Sequence, residues 1–463
     1  MRPTRVAASR PARPWLWLAV GTVCAVAMVW PARVFATTLP SASHLFVGSA
    51  RHDVGRRLLE AGAAWWLLYA AAVLALLRSP RKPAAAVGVM ASIGVGIASI
   101  ARAATTSNDL YRYAWDGRIQ AAGIDPYRYA PASPVLDRFH DSWLWPNAAT
   151  CHVHLQRPGC TLLNRASVHT IYPPLAQLWF LVEHLVVPQS TRDRGYETAG
   201  LVIVVATTLL LLGFLHQAGR DIRQVAIWGC CPAVAIEAVQ NAHIDGLAVL
   251  FVVLAVWAAE RESWLWAAAA IGAAGLVKLY PLVLFPAIIQ GRRIRSAGVI
   301  VAMFVVGYLP HVIAVGSGVT GFLRTYLHQE GFVGGKRYTL LHDLGLHGHV
   351  AAAVAFAAII ATLLLALAKR LGSPARAALV LFAVILFVVT PGEPWEDLSL
   401  VALASMTGTW RWLTLIVADE AAYIVFIFGG LSSRTGPVGY ATALAASVLT
   451  WLSGRRRVSL KTQ

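Results

Sequence analysis

Between residues 107 and 118 the chain reads Ser107-Asn108-Asp109-Leu110-Tyr111-Arg112-Tyr113-Ala114-Trp115-Asp116-Gly117-Arg118. Asp109, Arg112 and Asp116 are spaced by three and four, so one helix face can present them together. Two carboxylates flanking a guanidinium are a useful set for chemistry on a sugar phosphate. The competing reading is a solvated interfacial helix with ordinary ion pairs.

Other polar groups interrupt apolar sequence. Lys278 stands in Gly-Leu-Val-Lys-Leu-Tyr-Pro, where a cation is either functional or a snorkelling, topology-setting residue. Asn241, His243 and Asp245 sit between two apolar runs. Polar groups there are expensive unless they serve a site or satisfy one another. They suit sugar hydroxyls or the orientation of Asp109; equally, they suit a structural turn with Asp245 at the start of the next helix. A metal role for His243 lacks a ligand set. Cys151 and Cys160, with His152 and His154 beside the first, do not have zinc-type spacing, and a disulfide is the better expectation. Cys24, Cys230 and Cys231 read as inert core residues. His342, Asp343, His347 and His349 read as a polar loop at a membrane surface.

The elements that must position these groups are helices in a bilayer. Of 463 residues, 57% are hydrophobic and 13% charged. Soluble domains carry about twice that charge fraction, and disorder needs low hydrophobicity. The net charge of +17 comes from short basic clusters between apolar runs, so membrane lipid or a phosphate-bearing substrate is expected and nucleic acid is not. Apolar runs from about 15–36 to 437–453 predict an all-α polytopic bundle of about 13–14 transmembrane helices. Several are shorter than a perpendicular crossing requires and must borrow flanking residues or thin the bilayer.

Placing the N-terminal arginines in the cytoplasm puts Arg78–Lys82, Arg220 with Arg223, Arg292–Arg295, Lys369-Arg370 and Arg455–Arg457 on one side. Both termini are then cytoplasmic. A cleaved leader is the alternative at the N-terminus, although Val34-Phe35-Ala36 matches a cleavage site weakly. The count requires that 172–188, with Glu183 and His184, not cross. Three regions follow: N-terminal transmembrane helices (1–104), a long outer-face loop carrying interfacial helices (105–197), and the remaining helices (198–463) with outer-face loops at 241–246, 278–281, 316–348 and 390–397. Loops this long are usually functional, and their aromatic residues suit stacking on sugars.

The stretch Asp109–Arg118, the later Gly123-Ile124-Asp125-Pro126-Tyr127, and Ile171-Tyr172-Pro173-Pro174 resemble the first outer loop of GT-C class glycosyltransferases. Within that class they are similar to the polyprenyl-phosphate-mannose-dependent mannosyltransferases of glycosyltransferase family 87. Asn241-Ala242-His243-Ile244-Asp245-Gly246, Lys278-Leu279-Tyr280-Pro281, and Glu330-Gly331-Phe332 with Gly335-Lys336-Arg337-Tyr338 resemble that family's later turns in order. The resemblance runs from about 105 to 400. Where the family commonly has Pro-Trp-Tyr, this chain has Pro394-Trp395-Glu396-Asp397. That departure points either to a changed acceptor or to a homologue with altered or lost activity.

The resemblance implies transfer of a sugar from a lipid phosphate to an acceptor hydroxyl at the outer face of a bacterial cytoplasmic membrane. A phosphate-linked sugar already has a good leaving group, so a single carboxylate suffices as general base, unlike the paired acids of glycoside hydrolysis. Asp109 is the expected base, with Asp116 as reserve or orienting partner. Lys278 is favoured to hold the departing phosphate, with Arg112, Arg118 and Arg337 as alternatives. Tyr172, Asn241, His243, Asp245, Glu330 and Trp395 complete the expected substrate-binding set. The partners are a polyprenyl-phosphate sugar donor and a glycolipid or glycan acceptor. No cofactor or metal is required, although a carboxylate-rich site leaves room for a divalent ion. The rival readings are a transporter or flippase for a lipid-linked sugar, which would place ionisable groups near the midplane with inverted repeats, and a non-catalytic homologue.

Overall fold

The computed structural model describes residues 14–38, 50–101, 106–146, 160–329, 337–390 and 392–428, with 441, 442 and 445. These form an all-α polytopic membrane protein. Its main helices are α1 (Pro14–Thr38), α2 (Ala50–Leu76), α3 (Arg81–Ser99), α4 (Asp109–Ala121), α5 (Pro174–Val186) and α6 (Asp193–Gln217). There follow α7, a bent pair (Ile222–Gly229 and Val234–Gln240, 62° apart), α8 (Asp245–Glu260), α9 (Trp264–Val277) and α10 (Arg293–Val315). The last four are α11 (Gly348–Leu367), α12 (Pro374–Val389), α13 (Leu398–Thr407) and α14 (Leu413–Phe428).

Six helices among the described residues are long and apolar enough to cross a membrane, and the bent pair α7 makes a seventh. This is fewer than the 13–14 crossings expected from the apolar runs, and the difference is one of length. The runs near 246–259 and 264–277 become helices of 16 and 14 residues. The run 281–290 is only a 3-10 turn (Tyr280–Leu284) and one α-turn (Phe285–Ile288), each with a proline in its first turn; Pro286 has no N–H with which to continue the turn before it. The run 437–453 lies almost wholly outside the described residues.

The basic turns gather at one end of the bundle. Arg223 Nη1 donates to Ser79 O (2.8 Å), Arg220 Nη1 to Met406 O (2.6 Å), and Arg293 Nη2 to Leu367 O (2.8 Å). Glu260 pairs with Arg220 and accepts from the Ala375 amide. At the other end, the Ala101 amide donates to Glu197 at 2.8 Å. The segment from α3 to α6 therefore leaves and returns at the same end, and α5, with 13 residues, is not among the helices long and apolar enough to cross. It lies along α4, which is brought close by Gly117: a Cβ there would stand 2.2 Å from Phe180 O.

Candidate active site

Asp109 is the first residue of α4, and its side chain is 17% exposed. Tyr172 donates its hydroxyl to Oδ2 at 3.1 Å, Tyr113 does so at 3.4 Å, and Asn164 donates to Oδ1. Tyr113 is one helical turn along α4 from Asp109. Its ring stacks on Phe180 of α5 at 4.5 Å, so the packing of α4 on α5 fixes the hydroxyl. Tyr172 is held from behind as well, because Tyr127 donates its hydroxyl to the Tyr172 carbonyl at 2.5 Å. The Asp125-Pro126-Tyr127 loop is in turn tied to α10 by Asp125 and His311 Nδ1 at 2.7 Å.

The turn after α7 brings His243 toward the same carboxylate oxygen. Residues Val234–Gln240 are wound as a π-helix, a rare form concentrated at functional sites. Ala242 follows with φ of 49°, a left-handed conformation that costs an alanine free energy and suits a constrained site. Together they aim Glu237, Asn241 and His243 inward. His243 Nδ1 lies 3.7 Å from Asp109 Oδ2, and Nε2 lies 3.4 Å from Glu237 Oε2. Its ring stacks on Trp395 at 4.1 Å. Burial pushes the imidazole down to about 3, with Lys278 adding to that and Asp109 opposing it, so the ring is neutral near pH 7. Asn241 is committed to structure: it donates to Glu237 (3.0 Å) and Thr106 (2.7 Å) and accepts from the Thr106 amide.

Lys278 stands in the turn after α9 with its side chain 20% exposed. Its Nζ is 3.2 Å from Asp245 Oδ2 and 5.3 Å from the centre of the Tyr172 ring. Burial alone would lower the ammonium, but Asp245, Asp109 and Glu396 outweigh it and raise the group above the ordinary lysine range. Arg337 reaches the same surroundings through Glu396, at 3.4 Å. The site thus holds an acid whose two oxygens face hydroxyl and amide donors, a charged lysine, and an aromatic side chain shared by both.

Other sequence-predicted residues go elsewhere. Arg112 and Asp116 are paired at 3.0 Å with side chains 4% and 2% exposed. Arg112 also donates to the Val168 carbonyl, and Asp116 accepts from Gln177 at 3.0 Å. They do not share a ligand-facing surface with Asp109; they pin the 165–170 loop to α4. Arg118 binds the Phe139 carbonyl and Asp141. Burial would raise that Asp141 carboxyl, but the Arg118 bond and the Leu144 amide hold it below its usual range. Glu330 lies outside the described residues. Cys160 is disulfide-bonded, and its expected partner Cys151 lies outside the described residues. Among the described residues, no group of three or more His, Cys, Asp or Glu side chains is arranged to hold a metal ion.

Tyr172, Asn241, His243, Asp245 and Lys278, which gather near Asp109, and Arg337, which joins through Glu396, come from one continuous stretch of the chain. Residues 170–391 match the model of glycosyltransferase family 87. The family 87 match supports a membrane glycosyltransferase. Asp109 and α4 precede the matched stretch and Trp395 follows it, yet both close against residues inside it. No curated protein and no solved structure matches the chain. Sequence reasoning missed Tyr113, Asn164 and Glu237. Tyr113 carried a usable signal, being four residues from Asp109 on a helix. Asn164 carried none, because it sits in an irregular loop, whereas Glu237 carried one as an acid inside an apolar run.

Proposed function

We propose that this glycosyltransferase moves a sugar from a polyprenyl-phosphate donor to a glycolipid or glycan acceptor by one inverting displacement. Mannose is the favoured sugar on the sequence resemblance. The observation that carries this reading is the convergence of Asp109 and Lys278 on the two sides of Tyr172. Asp109 is the base that takes the acceptor hydroxyl proton as the acceptor oxygen bonds to the anomeric carbon. The bond to phosphate oxygen breaks, its electron pair leaves with the lipid phosphate, and Lys278 holds that developing charge. Asp245 keeps the ammonium aimed and charged until the phosphate arrives. Tyr172 and Tyr113 orient the base. Arg112, Asp116 and Arg118 act at one remove by fixing the loop that carries Asn164 and Tyr172.

The arginine-rich turns at the opposite end support placing that end in the cytoplasm and the site at the outer face of a bacterial cytoplasmic membrane. Nothing in the proposed displacement calls for a metal. Transfer from synthetic polyprenyl-phosphate sugars to extracted envelope lipids tests the reading, with the native chain beside Asp109→Asn and Lys278→Ala. Sugar transfer by the native chain that both variants lose is the expected result. Movement of the lipid-linked sugar across vesicles without transfer would favour the flippase reading instead.

A further inference from the structure

One buried acid of the site has no part in the displacement described above. Glu237 is 2% exposed on the π-helical segment of α7. A carboxylate placed among apolar residues of a membrane bundle is costly and is retained where it has work to do. Its Oε2 accepts from Asn241 at 3.0 Å and lies 3.4 Å from His243 Nε2. The other ring nitrogen of His243 is 3.7 Å from Asp109 Oδ2. Stacking on Trp395 at 4.1 Å and 21° fixes the ring plane, with one nitrogen nearest each carboxylate. Among the described residues, neither ring nitrogen has a hydrogen-bond partner. Bonds of this kind are commonly long in a resting enzyme and tighten when substrate closes the site.

We propose that Glu237 is a positioning residue and the terminal proton acceptor of the transfer site, acting on Asp109 through His243. The proposal rests on Asp109 being the base. The proton balance is as follows. In the resting site His243 carries its proton on Nε2, toward Glu237. The acceptor O–H bond breaks and its proton goes to Asp109 Oδ2. That proton passes to His243 Nδ1 while the Nε2 proton passes to Glu237 Oε2. Asp109 is again a carboxylate, His243 is neutral in its other tautomer, and Glu237 is a carboxylic acid. No net charge is created beside the departing phosphate, and the base cannot return its proton to the acceptor.

The charged and titratable neighbours are compatible with this direction. His243 is faced by Asp109 from α4, Glu237 from α7 and Lys278 from the turn after α9. Glu237 is faced by Glu420 and Asp419 from α14 and by Asp245 from α8, all of them acids. A proton arriving at Glu237 lowers the repulsion among these acids.

The competing explanation is that Glu237 merely anchors the Asn241 turn. Glu237→Gln separates the two, because the amide keeps the volume and an acceptor oxygen for Asn241 but cannot take the proton. Single-turnover transfer from polyprenyl-phosphate mannose to extracted envelope lipids is measured for the native chain, Glu237→Gln and Asp109→Asn. The expected result for Glu237→Gln is a native melting temperature, an unchanged KM for the donor, and a loss of about 10²-fold in rate. A native rate in Glu237→Gln, with Asp109→Asn dead, overturns the relay and leaves the base assignment standing. Full activity in Asp109→Asn overturns the base assignment and the relay with it. A further readout does not depend on turnover or on the variant folding. The ¹⁵N spectrum of histidine-labelled native protein is expected to show His243 protonated on Nε2; protonation on Nδ1 at rest overturns the proposal.

Discussion

Helices α9 and α10 run side by side through the same bundle, yet they differ in almost every physical respect. Helix α10 has 23 residues, and no residue of its most apolar 18-residue window is buried within the protein. Val301, Val305, Val306 and Ile313 all point outward. Helix α9 has 14 residues and buries a nearly continuous run from Ile271 to Val277 before ending at Lys278. Long helices such as α2, α6 and α10 match the roughly 20 residues that a 30 Å hydrocarbon layer needs. The shorter α8, α9, α12 and α13 reach only about 15–24 Å at 1.5 Å per residue. The outer helices are shaped by lipid. The inner ones are shaped by the polar layer at their ends, where Asp245, Lys278 and Asp397 replace what would be a further turn of apolar helix.

If that contrast is correct, substitutions should divide sharply by region. The largest effect is expected at Asp109, where Asn keeps the shape but removes the base; transfer should fall by about 10²–10⁴-fold with an unchanged melt in detergent. Arg112→Met should leave Asp116 buried and unpaired, at a cost of about 3–5 kcal/mol, seen as an early melt before any kinetic comparison is meaningful. Lys278→Met should lower the rate by about 10²–10³-fold if the ammonium faces the leaving phosphate. A native rate there would reduce Lys278 to a partner for Asp245. Tyr172→Phe removes one hydrogen bond to Asp109 and should slow transfer by about 10-fold, in line with about 1 kcal/mol for such a bond. Val305→Ala on α10 should change neither melt nor rate measurably. A clear loss at that position would break the division between a lipid-shaped ring and a site-shaped core.

How much of this the sequence revealed follows the same division. Helices whose outward face meets lipid announce themselves as long apolar runs, and α1, α2, α3, α6, α10 and α11 fall where such runs predict helices. The inner helices are harder to read because their lengths are set by neighbours. Nothing in 281–290 shows that Pro281 and Pro286 leave only a 3-10 turn and one α-turn. The grouping of Asp109, His243, Asp245 and Lys278 could be anticipated, since each is a polar group where an apolar run stops. The pairing of Arg112 with Asp116 was visible from spacing, but their direction was not. Helical periodicity says that two side chains share a face; it does not say whether that face meets a ligand or the underside of a loop. Glu237 stood out as an acid in an apolar run, but the direction of its side chain was hidden, because a π-helical winding shifts the register on which such arguments depend.

The stunted inner helices also make the host bilayer a variable of the enzyme. A reactive layer held some 20 Å above the arginine-rich rim does not rise when acyl chains lengthen, whereas the surrounding headgroup plane does. In vesicles of long-chain lipid the layer would lie deeper beneath that plane, and an acceptor sugar standing above the headgroups would have farther to descend. Short-chain lipid would bring the same groups level with the surface, so hydrophobic mismatch would set how readily the two substrates meet.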